Sequence, residues 1–409
     1  MNIVLEPGAA ALLDELHRAG FGAYAVGGCV RDSLLGLAPH DWDLCTAARP
    51  GQVMELFGED RCIPTGLQHG TVTVKRDGKL YEITTFRTEG RYSDGRHPDS
   101  VAFVPDLRED LARRDFTINA MAYSAEEGLC DPFGGREDLA RGVVRAVGEP
   151  LRRFGEDALR ILRLYRFAAR FGFAIDEATE AAAKQLASHL DCVSAERIEE
   201  ELNKLLAAPQ PGVYLEPEVL AFVLPELPPE ELAKARKQVD ALPAGTEQVS
   251  ARWAALLLPL GETGARKALK RLKCSNARID GAAALVRECG EKTPDTLDKC
   301  DLRLQAKRLL GRYDLHTVQQ LTALWTALAP EEKASFDALR AEAEALTAQG
   351  VCCRISQLAV NGRDLMEAGA APGPGLRRVL EALLEEVITG RLPNEKTELL
   401  AFAAGFSAS

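Results

Sequence analysis

The sequence has no long apolar run: its longest, Trp253 to Leu260, is far short of the roughly 20 residues that cross a bilayer. A helical membrane span is excluded, and no membrane partner is expected. There is no C-x-x-C pair. The ten cysteines are scattered and Cys352 and Cys353 are adjacent, which suits neither a disulfide framework nor a zinc site, so they read as reduced packing thiols. Histidine is sparse, with six in the chain, and only His40 stands beside a carboxylate. Without a second His-Asp pair, a metal-dependent phosphohydrolase has little support. There is also no internal repeat and no low-complexity tract. The opening MNIVLEPG lacks a basic segment feeding an apolar one, so a cytoplasmic protein without a secretory signal is expected.

What is present is an ordinary globular composition, 46% hydrophobic and 27% charged over 409 residues, enough for two to four domains. The net charge of −11 argues against a nucleic-acid partner only if it is spread evenly, and it is not. Residues 1–170 sum to −4, 171–263 to −9, 264–312 to +7 and 313–409 to −5. A polyanion responds to local potential rather than to the total. The stretch GARKALKRLKCSNARID, with Lys267, Lys270, Arg271 and Lys273, is therefore a candidate phosphate-backbone surface, or else a solvated helix face.

Short β-rich runs (YAVGG, DWDLCT, TVTVKR, KLYEITTFR, VAFVPD) fill the first 150 residues and predict a mixed α/β region. Helical periodicity follows. Ile161, Leu164, Tyr165, Ala168 and Phe171 lead to a stop at Gly172, and Ser194 can cap a helix bearing Ile198, Leu202, Leu205 and Leu206. Leu376, Val379, Leu380, Leu383, Leu384, Val387 and Ile388 form one stripe closed by Gly390 and Pro393. The proline clusters at 209–212 and 224–229 mark boundaries between helical parts, and APGPG (371–375) introduces what reads as the last helix.

Two constellations carry chemistry. AYAVGGCVRDSLLG reads as strand, two-glycine turn and helix, so amides after Gly27 and Gly28 can face an anion, with Arg31 in support; a Gly-Gly pair is equally an ordinary tight turn. In HDWDLCT, Asp41 and Asp43 are two apart on a β-prone run, which places both carboxylates on one face. Such a pair can hold Mg²⁺ ions about 4 Å apart, one activating an attacking hydroxyl and one neutralising a triphosphate leaving group. Glu82 in LYEITTFR is the candidate third carboxylate.

GGCVRD, DWD, RRDFTINAMAYS with DPFGG, EDALRILRLYRFAARFGF and SAERIEEELNKLL, in that order over residues 21–206, resemble the motif set of the class II tRNA nucleotidyltransferases, the CCA-adding enzymes and bacterial poly(A) polymerases. NGRDLMEAGAAPGPGLRR and GRLPNEK extend the resemblance into the tail. It implies a polymerase-β-type nucleotidyltransferase head, a small mixed sheet with helices, followed by an elongated all-α remainder. The expected parts are a head at 1–140, a base-recognising neck at 141–206, and a tRNA-binding body at 207–330 and tail at 331–409. Carried over to this sequence, Gly28 and Arg31 bind the triphosphate, Asp41 and Asp43 ligate the metal, Arg114 binds nucleotide, and Asp115 and Asn119 support the ribose. Asp157, Arg160, Arg163 and Arg166 form the base and nucleotide site.

Chemistry supports that last assignment. Asp157 and Arg160 are three apart on a helix and so adjacent on one face. Cytosine and adenine both present an amine donor beside a ring-nitrogen acceptor, which a carboxylate and a guanidinium match. Guanine and uracil would leave both side chains unpaired. The stretch TEGRYSDGRHPDS (88–100) is a long connection of the kind that enzymes adding only CC lack. The resemblance thus implies CCA addition to the tRNA 3′ end from CTP and ATP with Mg²⁺, by a monomer or weak dimer. An A-adding enzyme and a poly(A) polymerase are the near alternatives, though 313–409 is acidic where the latter is basic. A non-catalytic RNA-binding module is the distant one, opposed by intact Asp41, Asp43 and Arg114.

Overall fold

The computed structural model describes residues 3–90, 100–291 and 301–406; positions 91–99 of the expected long loop lie outside the described residues. The chain forms two compact units, Met1–Pro225 and Glu226–Ser409. Their division falls inside the proline run 224–229.

Nine strands precede residue 131: β1 (Ala23–Val26), β2 (Leu44–Thr46), β3 (Cys62–Gly66), β4 (Thr71–Arg76), β5 (Lys79–Thr85), β6 (Arg87–Glu89), β7 (Val101–Phe103), β8 (Ala122–Ser124) and β9 (Gly128–Cys130). Seven build one mixed sheet in the order β3-β4-β5-β2-β1-β8-β9, while β6 and β7 pair separately. All five β-rich runs read from the sequence contain a strand. β1 is buried along its whole length, as a central strand must be. β5 alternates, with Tyr81, Ile83 and Thr85 buried and Leu80 and Glu82 exposed, so its period of two leaves Glu82 on the solvent side. Under the sheet, Tyr24, Val26, Cys45, Phe86, Leu111, Ala122 and Val147 pack into one core.

One detail differs from the sequence reading. β2 begins only at Leu44, so Asp41 and Asp43 precede the strand. The reason is its neighbour. β1 ends where Gly27 turns at φ 77°, and the last link is the Val26 N–H donated to the Asp43 carbonyl at 3.0 Å. Beyond it β1 offers Asp41 nothing to pair with on that side.

The rest of the first unit is helical. Leu159–Phe171 ends on Gly172 in the left-handed conformation at φ 67°, as expected of a C-terminal glycine. Ala195–Leu206 starts at Ser194, but the serine hydroxyl makes no capping bond. The second unit is built of helices. Its final part packs Val360, Leu365, Leu383, Leu399 and Ala403 together. A helix over Pro374–Ile388 carries the predicted stripe, and another, Lys396–Phe406, follows it, so the stripe is not the last helix.

Candidate active site

Strand pairing delivers the site to one sheet edge. β1 and β2 are antiparallel with Ala25 opposite Leu44, so the glycine turn after β1 adjoins the residues before β2. β2 and β5 are parallel with Leu44 opposite Ile83, which sets Asp43 and Glu82 side by side, each one residue before a paired position. β8 closes the group, Val26 facing Ala122 and the Gly27 N–H donating to the Met121 carbonyl at 3.0 Å. At Gly27 the backbone has φ 77° and ψ −124°, and a Cβ there would sit 3.0 Å from Arg114 Nη1. Gly27, more than Gly28, is the position that demands glycine.

Asp41, Asp43 and Glu82 are exposed, and none of their carboxylates accepts a hydrogen bond among the described residues. The Asp43 carboxyl is raised above its ordinary value, first by desolvation at the crowded edge and then by the negative charges of Glu82 and Asp41, with Arg114 opposing them. The expected third carboxylate is therefore electrostatically coupled to the pair. Among the described residues no three His, Cys, Asp or Glu side chains are gathered so that they could hold a metal ion. The edge is an open set of hard oxygen donors.

Behind it lies a charged network that sequence spacing did not show. Arg31 is 3% exposed. It donates from Nε to Asp32 at 2.8 Å and from Nη1 to Asn119 Oδ1 at 2.5 Å. Asn119 donates to Asp115 at 3.0 Å, and Asp115 Oδ2 accepts from Arg163 Nε and Nη2 at 2.8 and 2.6 Å. Burial would push the Asp115 carboxyl up, but Arg163 and the Asn119 bond hold it far below the usual carboxylate range. Arg166 Nε donates to Glu201 at 2.5 Å and Arg170 Nη2 to Asp32 at 3.1 Å. Arg114 pairs with the fully buried Asp110 at 3.3 Å. The structure thus brings together Gly28, Arg31, Arg114, Asp115, Asn119, Arg163 and Arg166. It shows Asp115 and Asn119 in contact with arginines.

Asp157 and Arg160 do not share a helix. Asp157 caps the end of the Pro150–Glu156 helix at φ −142° and ψ 105°, and its Oδ1 accepts the Leu159 N–H at 3.1 Å to start the next. A short polar side chain that can bond its own backbone favours such a junction over a helix interior. Asp157 Oδ2 accepts from Arg197 at 2.9 Å. Arg160 donates to the carbonyls of Arg153 and Arg113 at 3.0 and 3.1 Å and to Glu156 at 2.9 Å.

Kinship over the whole chain accompanies this geometry. The sequence is 38% identical to the CCA-adding enzyme of Limosilactobacillus fermentum over 408 residues, covering 96% of this chain and 95% of that enzyme. It is 39% identical to that of Latilactobacillus sakei over 406 residues, covering 96% of each. The chain belongs to the CCA-adding enzyme family. Family models match in sequence order: the poly A polymerase head domain at 23–145, the RNA and SrmB-binding site of polymerase A at 172–228, and tRNA nucleotidyltransferase domain 2 at 245–403. The crystal structure of the Bacillus stearothermophilus CCA-adding enzyme in complex with CTP aligns with a TM-score of 0.80 at 33% identity, over 99% of this chain and 98% of that one. As a CCA-adding family member the chain is a nucleotidyltransferase, with the mixed α/β head and helical remainder expected from its motifs.

In this CCA-adding family member the basic segment is less basic than its sum. Arg271 donates to Glu226 from Nε and Nη2 at 2.6 and 2.8 Å, and Arg266 pairs with Glu262 and Asp280. Arg303, Arg308 and Arg312 pair with Glu342, Glu385 and Glu288. Lys267, Lys270 and Lys273 are exposed, and neither Lys267 nor Lys270 forms an ion pair among the described residues. The anions that organise the head, Asp32, Asp110 and Glu201, were missed from sequence along with Arg197. Glu201 and Arg197 stand in SAERIEEELNKLL at a spacing of four, a same-face signal that could have marked them.

Proposed function

We infer that this chain completes the 3′ end of tRNA, transferring CMP and then AMP from CTP and ATP to the terminal 3′ hydroxyl and releasing pyrophosphate without a nucleic-acid template. Kinship with CCA-adding enzymes over 96% of the chain carries the reading. The edge formed by the glycine turn, Asp41, Asp43 and Glu82 gives it a place for the chemistry. Such an enzyme works where tRNA matures, which we take to be the cytoplasm; no described helix is long and apolar enough to cross a membrane.

Asp41 and Asp43, with Glu82 beside them, fit Mg²⁺: their carboxylates are exposed, accept no hydrogen bond among the described residues, and repel one another in a way a cation relieves. An open donor set suits this ion, which is commonly held by one or two carboxylates and completed by substrate phosphates. Bound there, Mg²⁺ stabilises charge on the transferring phosphate and eases deprotonation of the attacking hydroxyl. Arg31, Arg114, Arg163 and Arg166 supply positive potential for the triphosphate, and Asp115 and Asn119 act by holding Arg163 and Arg31. Asp157 offers acceptor lone pairs that Arg197 leaves open, and three of the five N–H donors of Arg160 are engaged, leaving two for a ring nitrogen. Lys267 and Lys270 meet tRNA phosphates, with Arg271 and Lys273 flanking them.

The test supplies each labelled nucleotide separately to tRNA transcripts ending before the first C, after CC and after CCA. CMP should enter the first, AMP the second, and nothing the third. An enzyme that extends only the CC transcript is A-adding, and one that adds AMP to all three is a poly(A) polymerase.

A further inference from the structure

Phe167 and Phe171, four apart on the Leu159–Phe171 helix, stand among the arginines of the nucleotide site. The guanidinium carbons of Arg166, Arg31 and Arg163 lie 3.9, 5.2 and 5.4 Å from the centre of the Phe167 ring. Those of Arg31 and Arg170 lie 4.9 and 5.0 Å from the centre of Phe171. The two rings are stacked, with centroids 6.3 Å apart and planes 3° from parallel, and Phe116 meets Phe167 edge-on at 5.8 Å. Phe167 is buried, at 5% exposure.

Four cations are thus drawn around two rings, while the carboxylates that contact them are Asp32, Asp115 and Glu201. The cations outnumber the anions by one. Burial lowers the pKa of Arg31 and of Arg166, and Arg170 and Arg163 respectively lower them further. A fourth carboxylate would relieve that crowding but would cancel the charge a triphosphate needs. An aliphatic side chain would bury the guanidiniums with nothing to favour their charge. An aromatic face attracts a cation electrostatically and remains neutral.

We propose that Phe167 and Phe171 are positioning residues of the nucleotide site, their ring faces holding Arg31, Arg163, Arg166 and Arg170 together so that the surplus positive potential is available to the triphosphate. This rests on the assignment of Arg31, Arg163 and Arg166 to nucleotide binding. The rings touch no reacting atom, so their contribution reaches CTP and ATP alike and leaves base choice and tRNA binding to other residues.

The test varies the ring's electrostatics at constant shape, by incorporating phenylalanines with one, two and three fluorines at position 167 of the full-length enzyme. Because fluorination drains the negative face, KM for CTP and for ATP should climb with each fluorine, reaching about threefold to tenfold at the third. KM for tRNA, the preference for CTP over UTP and the melting temperature should stay put. A KM for both nucleotides that is flat across the series overturns the proposal. Arg163→Gln, measured in parallel, separates the two layers. If it raises KM for CTP while the fluorine series is flat, only the role of the rings fails. If it leaves KM for CTP unchanged, the assignment of the arginines fails and the proposal with it.

Discussion

Arg163 in the first unit and Arg271 in the second each donate Nε and Nη2 to a single carboxylate, at 2.8 and 2.6 Å to Asp115 and at 2.6 and 2.8 Å to Glu226. The bonds are alike and their surroundings are not. The Asp115 side chain is 8% exposed and shares its charge with Asn119 and a backbone amide. The two arginines are exposed alike, 34% for Arg163 and 38% for Arg271, but the Glu226 side chain is 20% exposed, so its pair meets more solvent. Water screens the second pair, which contributes about 0–1 kcal/mol, whereas the first fixes an ionised group inside the fold. Identical hydrogen-bond lengths therefore describe a structural lock in one region and, in the other, a subtraction from surface charge.

The sharpest way to break this contrast is to remove the buried anion. Asp115→Ala should destabilise the first unit by about 3–5 kcal/mol, because Arg163 would keep only Glu201 at 4.0 Å while Asn119 and the Phe116 amide lose their buried acceptor. Denaturant unfolding measures it, and a loss no larger than that of Glu226→Ala would erase the distinction. Next come the exposed carboxylates of the same edge. Asp43→Asn or Asp41→Asn should cut nucleotide incorporation by at least about 10²-fold with almost no change in melting temperature, since neither side chain holds the fold. Full activity in both variants would remove the metal assignment.

Base choice sharpens the comparison within the first unit. Asp157→Ala should narrow the CTP-over-UTP preference by about tenfold or more, as the acceptor for the exocyclic amine is lost. Competition between labelled nucleotides reads this directly, and an unaltered ratio would reject a side-chain template. In the second unit, Lys267→Glu with Lys270→Glu should raise KM for tRNA several-fold and flatten its salt dependence without affecting that for CTP. Arg271→Gln should do distinctly less, because its charge is already answered by Glu226; equal effects would mean that this pairing does not govern the surface field.

The smallest effect concerns Glu6, which accepts hydrogen bonds from Tyr81 at 2.6 Å and Lys79 at 2.9 Å. Desolvation works to raise its carboxyl, yet the bonds from Tyr81, Lys79 and the Ala9 amide bring it down to about 2 from an ordinary 4.5. A lowered carboxyl contributes stability above about 4.5 that disappears as pH falls toward 2. Glu6→Gln should therefore melt a degree or so below the parent at neutral pH, and thermal scans should show the gap closing between about 4.5 and 2. A gap that persisted at pH 2 would assign it to packing rather than to charge.

Much of this was legible before any fold was known. The glycine turn, the Asp41 and Asp43 pair and the periodic stripe from Ile161 to Phe171 are local patterns, and each falls in the element expected of it apart from the late start of β2. Glu82 was named as a carboxylate from a neighbouring strand, and the parallel pairing of β2 with β5 sets it beside Asp43. Of the errors, the first was local and the second long-range. Asp157 was read as helical because spacing alone cannot show that its carboxylate bonds the Leu159 amide, and the basic segment was read by its sum because the sequence does not say which acids face it.

By itself, then, the sequence determined the elements, the order of the motifs and the chemical type of the site, since these depend on residues within a turn or a strand of one another. Only the tertiary structure decided which charges are spoken for. Arg31 meets Asn119 across 88 positions, Arg163 meets Asp115 across 48 and Arg170 meets Asp32 across 138. Pairing at such separations follows from strand order and helix packing, and burial then sets what each pair is worth, because the same charges weigh far more in a dry interior than beneath water.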